Sequence, residues 1–280
     1  MIESTQLSRL LVDQGNSRVK LLFCNDDVDT GQLIEIDNNQ LDQINVILAK
    51  KGITEHTLIT AQTDCSPIMV SSVAPSSERN HLEYVLNQQF NATVEWITTT
   101  AYVSIEGVLL RNAYIKTDAL GVDRWVALAG AVSCFPNKDI IVADFGTATT
   151  LDLLRADGQH MGGWIVPGLG AAQDLMQRRL SQLYTPHYVS GVGQQKVSEK
   201  WLGRSTSTAI DMGLLQMQAG LLDRFLMQTI SMGIVKPKVL LTGGQVNSLL
   251  PLFTKNYCHM PRLIFFGINA LVNKNNAECE

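Results

Sequence analysis

The sequence predicts an α/β protein made of two similar domains in tandem, and three observations support that expectation. The chain has 280 residues, near or above the size at which a single hydrophobic core stops growing. Its hydrophobic fraction of 45% can fill two cores. A short pattern (Asp, any residue, Gly, Asn or Thr, then Ser or Ala) begins at Asp13 and again at Asp144, and the offset 144 − 13 = 131 is close to half the chain.

Each copy of the pattern lies where one predicted strand turns into the next. The predicted strand pairs are residues 10–13 with 18–24 and residues 140–144 with 149–154, and a third strand is expected near 164–166. A single Asp-Gly turn is ordinary turn chemistry. Two copies in the same context, half a chain apart, indicate a duplicated domain.

Each half also contains a predicted strand, turn and helix. In the first half the segment is "PIMVSSVAPSSERNHLEYVLNQQF", where Pro75 and Ser76 can start a helix. In the second half it is "KVLLTGGQVNSLLPLF", where Gly243 and Gly244 allow backbone to approach a ligand closely. We expect the domains to be residues 1–118 and 119–280.

Two further helices are predicted in the second half of the chain. The segment "LGVDRWVALAGA" is rich in Ala and Leu and follows Asp118, a possible helix cap. A later helix, after Gly203, has apolar residues at helical spacing, which predicts a core-facing stripe. The stripe comprises Ile210, Leu214, Met217, Leu221 and Phe225.

Charge and cysteine content exclude several function classes. With 22 basic and 26 acidic side chains the formal charge is −4, so no electrostatic footprint for nucleic acid or an anionic membrane is present. Five scattered cysteines without a CxxC pair argue against zinc and disulfide scaffolds. The sequence contains neither a signal peptide pattern nor a run of 18 apolar residues, so we expect a cytoplasmic protein. His160 is expected to be a solvated loop residue.

The repeated turn has the chemistry of a phosphate-binding loop. Backbone N–H groups and small hydroxyls surround a concavity in such a turn, and its Asp can hold a metal ion or a water molecule. Two such turns, with a glycine pair near the nucleoside, would hold Mg²⁺-ATP.

Taken together, the motifs resemble the acetate and sugar kinase, Hsp70 and actin superfamily of tandem ribonuclease-H-like domains, and within it the type III pantothenate kinase family. They occur in that family's order between about residues 10 and 245. The motifs are "DQGNSRVK" (13–20), "SSVAP" (71–75), "LGVDR" (120–124), "DFGTATTLD" (144–152), "GGWIVPG" (162–168), "LGRSTSTAIDMG" (202–213) and "TGG" (242–244).

The resemblance implies a role for each motif. The first phosphate loop would contact ATP, as would Thr147 in the second loop, and Asp144 would be associated with a monovalent cation, K⁺ or NH₄⁺. Pantothenate would be bound by Gly121, Val122, Asp123 and Arg124, with Asp123 as the proposed general base, and by Thr206 and Tyr114. The residues of the first loop are Asp13, Gln14, Gly15, Asn16, Ser17, Arg18, Val19 and Lys20. A homodimer is also implied.

Physical reasoning agrees with these roles. Phosphoryl transfer needs phosphate donors, a metal ion and one carboxylate to take the proton of the attacking hydroxyl. Asp123, at a helix start beside Arg124, can be that carboxylate. A planar guanidinium suits the carboxylate of pantothenate because it can donate two parallel hydrogen bonds.

The reading of the whole chain is an ATP-dependent kinase that converts pantothenate to 4′-phosphopantothenate for coenzyme A synthesis. Two alternatives remain: another small-molecule kinase of the superfamily, or a non-catalytic accessory protein on the same scaffold. Gln14 departs from the family pattern, which usually has an aliphatic residue there, and the segment before "LGVDR" lacks an asparagine-proline pair near Tyr114.

Overall fold

The computed structural model describes residues 9–25, 27–53, 67–180, 182–185, 201–253 and 257–277. The chain forms two compact units. Unit 1 comprises residues 1–136 together with 262–280, and unit 2 comprises residues 137–261. Residues 119–136 therefore pack with the first unit, whereas the sequence analysis placed the boundary at 118/119; that division remains our proposal for where the duplicated halves meet.

Unit 1 is built on a five-stranded mixed sheet with helices packed against it. The strands are β1 (Arg9–Gln14), β2 (Arg18–Cys24), β3 (Gln32–Asp37), β4 (Ile68–Ser72) and β5 (Val94–Trp96), and a separate hairpin consists of β6 (Tyr102–Ile105) and β7 (Val108–Arg111). The helices are α1 (Ile44–Lys50), α2 (Ser76–Phe90), α3 (Val122–Cys134) and the C-terminal α7 (Leu263–Ala277). Apolar residues alternate along the strands, and their inward side chains, with those of α1 and α2, form one buried core.

Unit 2 repeats this plan. Its strands are β8 (Ile140–Phe145), β9 (Ala148–Leu154), β10 (His160–Pro167), β11 (Lys238–Thr242) and β12 (Cys258–His259), and its helices are α4 (Leu169–Arg179), α5 (Thr206–Ser231) and α6 (Val246–Leu249). A second buried core joins β8, β9 and β11 to α5 and α6.

The predicted duplication is confirmed by the sheet topology. The strand order is β3-β2-β1-β4-β5 in one sheet and β10-β9-β8-β11-β12 in the other. In both sheets the first three strands pair antiparallel and the last two are added in parallel. Asp13 pairs with Ser71 across the parallel pair, and Asp144 pairs with Thr242 in the same way. The two aspartates therefore occupy equivalent positions.

The two hairpin turns differ in length by one residue. In the first turn (residues 15–17), the Gly15 N–H donates to the Arg18 carbonyl at 2.9 Å; in the second turn (residues 146–147), the Gly146 N–H donates to the Ala148 carbonyl at 3.0 Å. The residue after each aspartate is buried in both copies, but it is the polar Gln14 in the first and the apolar Phe145 in the second.

Glycines allow α3 and α7 to cross closely in unit 1. A Cβ on Gly130 of α3 would be 2.9 Å from the backbone nitrogen of Gly267 on α7, and a Cβ on Gly267 would be 2.8 Å from the carbonyl carbon of Val126. Arg262, just before α7, donates to the carbonyls of Val28 and Asp29 at 2.6 Å. The C-terminal helix is thus an integral part of unit 1.

Two helix predictions need correction. Helix α3 begins at Val122 with Gly121 as its cap, and Asp118 lies in a short 3₁₀ turn before it, because the chain is still extended at Leu120. The buried face of α5 is also turned from the predicted stripe: Met217 is 46% exposed, whereas Gln218 is 1% exposed. The helix buries polar side chains there because each has a hydrogen-bond partner.

Candidate functional site

Asp13 is the last residue but one of β1, close to the first turn, and it is half-buried. Burial raises the pKa of Asp13 to about 6; Lys20, its partner across the hairpin, opposes the rise, and the nearby charge of Asp123 adds to it. Two sequence-predicted carboxylates, one from the loop and one from the substrate motif, are therefore close enough to repel each other in unit 1. Such a pair favours a bound proton or cation.

The side chain of Gln14 points into unit 1 and is fully buried. Its Oε1 accepts a hydrogen bond from Ser72 Oγ at 2.8 Å, and its Nε2 donates to the Glu78 carbonyl at 3.3 Å. Ser72 ends β4 and Glu78 lies in the first turn of α2, so Gln14 ties the first turn to the "SSVAP" segment. Gln14, the residue that departs from the family pattern, therefore has a structural role, because both polar atoms of its side chain are hydrogen-bonded within the protein.

Asn38, which the sequence analysis did not identify, holds the first turn from the other side. Its backbone N–H donates to the Ser17 carbonyl at 3.1 Å, and its side-chain Nδ2 donates to the Gly15 carbonyl at 3.2 Å and to Glu78 Oε2 at 3.2 Å. The carbonyls of Gly15 and Ser17 are thus held by a residue from outside the turn. Position 38 carried no signal because its partners are distant in sequence.

The charged residues of the first loop have different surroundings. Arg18 is 57% exposed and forms ion pairs with Asp37 at 2.8 Å and Glu35 at 3.2 Å, and the hydrogen bond to Asp37 raises the pKa of its guanidinium. Asn16 and Ser17 are exposed, and Val19 is buried in the core. The exposed tip and the neighbouring Lys20 are thus the parts of this loop that can meet a ligand.

The "LGVDR" motif leads into the N-terminus of α3. Gly121 is the cap residue, and Asp123 lies in the first turn of the helix. Asp123 Oδ1 accepts a hydrogen bond from the Arg124 backbone N–H at 2.7 Å, and a Cβ at position 121 would be 2.6 Å from that same oxygen. Glycine at 121 therefore makes room for the carboxylate, which the positive end of the helix favours in its ionised form.

The side chains of Tyr114 and Arg124 lie in contact. Arg124 is 6% exposed, its Nη1 donates to Tyr114 Oη at 2.7 Å, and its guanidinium carbon is 5.5 Å from the centre of the Tyr114 ring. Such contacts orient the guanidinium plane. Unit 1 thus brings together Asp13, Lys20, Asp123, Arg124 and Tyr114.

Unit 2 brings Asp144 and the "TGG" motif together. Gly243 has a φ of +98° and lies where a Cβ would be 2.5 Å from the carbonyl group of Phe145 and would also overlap Asp144 Oδ1. The Gln245 N–H donates to the Phe145 carbonyl at 2.9 Å. Glycine is required at 243 for both conformation and space. The half-buried carboxylate of Asp144 is thus surrounded by backbone of the second turn and of the "TGG" segment.

Thr147 is exposed in the second turn, against which the end of β10 packs. The Gly168 N–H donates to the Thr147 carbonyl at 3.1 Å, and a Cβ on Gly168 would be 2.6 Å from that oxygen. The last glycine of "GGWIVPG" is therefore needed for close contact with the second turn.

Thr206 is the first residue of α5 and is exposed. The cap is Ser205, whose Oγ accepts the Thr208 N–H at 3.2 Å, while Thr208 Oγ1 accepts the Ser205 N–H at 3.0 Å. Because this reciprocal capping box satisfies the helix end, the hydroxyl of Thr206 is not needed as the cap.

Two groups of buried polar side chains in unit 2 could not be predicted from the sequence. His160 is fully buried, contrary to the expectation of a solvated loop, and its Nε2 lies 2.8 Å from Asp152 Oδ1, which is also buried. Asp211 accepts hydrogen bonds from Tyr184 Oη at 2.5 Å and from Gln173 Nε2 at 3.2 Å. Burial beside Asp211 raises the pKa of Tyr184. The first group joins the neighbouring strands β9 and β10, and the second joins segments 27 and 38 residues apart in sequence.

The described residues contain no cluster of three or more His, Cys, Asp or Glu suited to a metal ion. None of the helices in the described part of the chain has the length and apolar character to cross a membrane.

The comparisons with known proteins agree on one family. A family model described as type III pantothenate kinase matches residues 9–228. The chain is 30% identical over 276 residues to a type III pantothenate kinase of Janthinobacterium sp. (strain Marseille), covering 96% of this chain and 99% of the relative. It is 31% identical over 269 residues to a type III pantothenate kinase of Porphyromonas gingivalis, with coverage of 95% and 98%.

Solved structures match the fold over almost the whole chain. A Campylobacter jejuni protein described as a Baf family transcriptional activator has a TM-score of 0.55 at 19% identity, with 96% of this chain and 99% of that chain covered. The activator of 2-hydroxyisocaproyl-CoA dehydratase from Clostridium difficile, solved with bound ADPNP, has a TM-score of 0.51 at 10% identity, with 96% of each chain covered. The predicted α/β fold of two tandem ribonuclease-H-like domains is thereby confirmed.

Proposed function

Because this chain belongs to the type III pantothenate kinase family, we propose that it transfers the γ-phosphoryl group of ATP to the primary hydroxyl of pantothenate, for coenzyme A synthesis. The observation that carries this proposal is the placement of Asp123 in the first turn of α3, next to Arg124, whose Nη1 donates to Tyr114 Oη at 2.7 Å. A positioned proton acceptor and a cation oriented to bind the substrate are what phosphoryl transfer to an alcohol requires beside a phosphate loop.

Asp123 accepts the proton of the attacking hydroxyl in this proposal. Its Oδ1 accepts a hydrogen bond from the Arg124 backbone N–H at 2.7 Å, which orients the carboxylate. The helix N-terminus stabilises the ionised form that a general base needs. Arg124, already oriented by Tyr114, binds the substrate carboxylate.

In each unit, we assign contacts with the nucleotide to backbone and small polar groups of the turn. In the first loop we assign the phosphate contacts to the turn backbone and Lys20, with Gln14 acting through its hydrogen bonds to the protein. Thr147 supplies a hydroxyl in unit 2, and Thr206 supplies one for pantothenate.

The residues of unit 1 fit a Mg²⁺ ion. Mg²⁺ keeps several water ligands and is usually held by one or two carboxylates and the substrate phosphates, so a larger protein cluster is not needed. Asp13, with its pKa raised by burial and by Asp123, and the buried Ser71 Oγ, without a hydrogen-bond partner among the described residues, form an oxygen-rich position for it. When bound, the ion would neutralise charge developing on the transferred phosphoryl group.

A monovalent cation, K⁺ or NH₄⁺, is assigned to Asp144. The carboxylate is half-buried between the second turn and Gly243, where backbone carbonyls are also close. Hard cations prefer such oxygen ligands. Exchange of K⁺ for Na⁺ should lower turnover, and equal turnover in both salts would refute this assignment.

We also propose a cytoplasmic homodimer. Strand β10 is an edge strand of the second sheet, and it exposes Met161 (45%), Trp164 (37%) and Ile165 (58%). An exposed edge with apolar side chains is typical of a contact surface. Sedimentation should give a dimer that Ile165→Lys weakens, and a monomer for the unaltered chain would refute the proposal.

The central test is pantothenate phosphorylation with ATP. Asp123→Asn should bind ATP normally but turn over at least about 10²-fold slower, the usual scale for loss of a general base. The matched control is Asp118→Asn, because the Asp118 side chain is 72% exposed and lies in the turn just before the same helix. Turnover of Asp123→Asn close to that of the control would remove Asp123 from this role. Activity of the unaltered chain on other alcohols but not on pantothenate would refute the substrate.

A further inference from the structure

Gln218 is a buried amide in the middle of α5 whose two ends are both hydrogen-bonded. It is 1% exposed. Its Oε1 accepts from Thr149 Oγ1 at 2.7 Å, and its Nε2 donates to the Pro167 carbonyl at 2.9 Å. Burying an amide without partners is costly, so these two bonds determine where the side chain and its partners lie.

The two partners of Gln218 flank the second turn. Thr149 lies in β9, two residues after Thr147, and Pro167 ends β10 immediately before Gly168. The Gly168 N–H in turn donates to the Thr147 carbonyl at 3.1 Å, with no room for a Cβ between them. A shift of the Pro167 carbonyl is therefore transmitted through one peptide group to Thr147.

We propose that Gln218 is a positioning residue for nucleotide binding, acting through the second turn. The inference rests on the proposed function, because it assumes that Thr147 contacts ATP. Helix α5 spans 26 residues and packs along the core of unit 2, so it provides a rigid reference for both bonds of Gln218. Since phosphate binding depends on donors held in the right geometry, loosening the turn weakens ATP binding without touching pantothenate.

Three substitutions separate the two bonds. Thr149→Val removes the hydroxyl at nearly constant volume, Gln218→Glu keeps an acceptor for Thr149 but cannot donate to Pro167, and Gln218→Met removes both bonds. Calorimetric titration with ATP should give a Kd raised about ten-fold for both Gln218 variants and about three-fold for Thr149→Val. The KM for pantothenate should stay within about two-fold.

Thr229→Val is the matched control. Thr229 is a buried polar residue of the same helix, 2% exposed, and its hydroxyl donates to the Phe225 carbonyl within the helix at 3.0 Å. This variant should lose stability but bind ATP normally, so a general loosening of α5 is distinguished from a specific effect on the turn.

Comparison with Thr147→Val separates failure of this inference from failure of the proposed function. If Thr147→Val weakens ATP binding while folded Gln218→Met does not, Gln218 is not a positioning residue and the proposed function stands. If Thr149→Val, Gln218→Glu and Thr229→Val all weaken ATP binding equally, the effect is general and the inference is overturned. Absence of pantothenate phosphorylation by the unaltered chain would instead refute the proposed function.

Discussion

Replacing Asp13 by Asn should stabilise the ligand-free protein above pH 6. Burial and Asp123 raise the pKa of Asp13 from 3.8 to about 6, a difference of 6 − 3.8 = 2.2. At about 1.4 kcal/mol per pKa unit this corresponds to at most about 3 kcal/mol of unfolding free energy. Because the Asn amide must be desolvated as well, we expect a gain of about 1–3 kcal/mol.

The sign of the pH dependence follows from the direction of the shift. Below pH 3.8 the carboxyl is protonated in both folded and unfolded chains, so its ionisation costs no stability. As the pH rises through about 6, the folded chain must ionise a group that the unfolded chain ionises more easily, and stability is lost. The advantage of Asp13→Asn should therefore be present at pH 8 and absent near pH 3.5.

Urea denaturation at the two pH values, without ATP or divalent cations, measures this difference. Trp125, 1% exposed in unit 1, provides a fluorescence signal from the unit that contains Asp13. The exposed carboxylate of Asp118 gives a control, since Asp118→Asn should show no such pH dependence. Equal stability of Asp13→Asn and the unaltered chain at pH 8, or an equal gain at both pH values, would refute the reasoning. In the same variant Mg²⁺-dependent ATP binding should be weaker.

Three other substitutions test individual contacts. Gly243 has a φ of +98°, so Gly243→Ala should lower the free energy of unfolding in urea by about 1–3 kcal/mol and raise the KM for ATP. An unchanged midpoint of urea denaturation would contradict the crowding at that glycine. Tyr114→Phe removes the hydroxyl that accepts a hydrogen bond from Arg124 at 2.7 Å. In steady-state kinetics the KM for pantothenate should rise about ten-fold while the KM for ATP stays unchanged. A raised KM for ATP with an unchanged KM for pantothenate would exclude this contact from the substrate site. His160→Ala removes the buried contact with Asp152 at 2.8 Å and should cost about 3–5 kcal/mol by thermal denaturation. The exposed ion pair of His81 gives a control, since His81→Ala should cost less than about 0.5 kcal/mol; equal losses would contradict the burial of His160.

The duplicated hairpins could be predicted because their signals are local. Alternating apolar residues and the Asp-x-Gly turn lie within about ten residues of each other, and both copies have the expected strands. Gln14 could not be interpreted in this way, because its direction depends on Ser72 and Glu78, which pair with it only after β4 and α2 have formed.

The buried polar residues of unit 2 show a second limit of sequence reasoning. Hydropathy favours the face of α5 with Leu214 and Met217, since the neighbouring face contains Asp211 and Gln218. The helix buries that neighbouring face because its polar side chains form hydrogen bonds there with Tyr184, Thr149 and the Pro167 carbonyl. His160 follows a polar turn in the sequence, yet pairing with β9 takes it inside the sheet.

The return of α7 to unit 1 has a consequence for synthesis of the chain. Unit 2, residues 137–261, is a continuous segment, so all of its elements are synthesised one after another. Unit 1 lacks a helix until residues 262–277 have emerged, because α3 packs against α7 through Gly130 and Gly267. The carboxylate of Asp123 on α3 thus reaches its final environment only after residues 262–277 have been translated, so a product truncated before them cannot complete this part of unit 1.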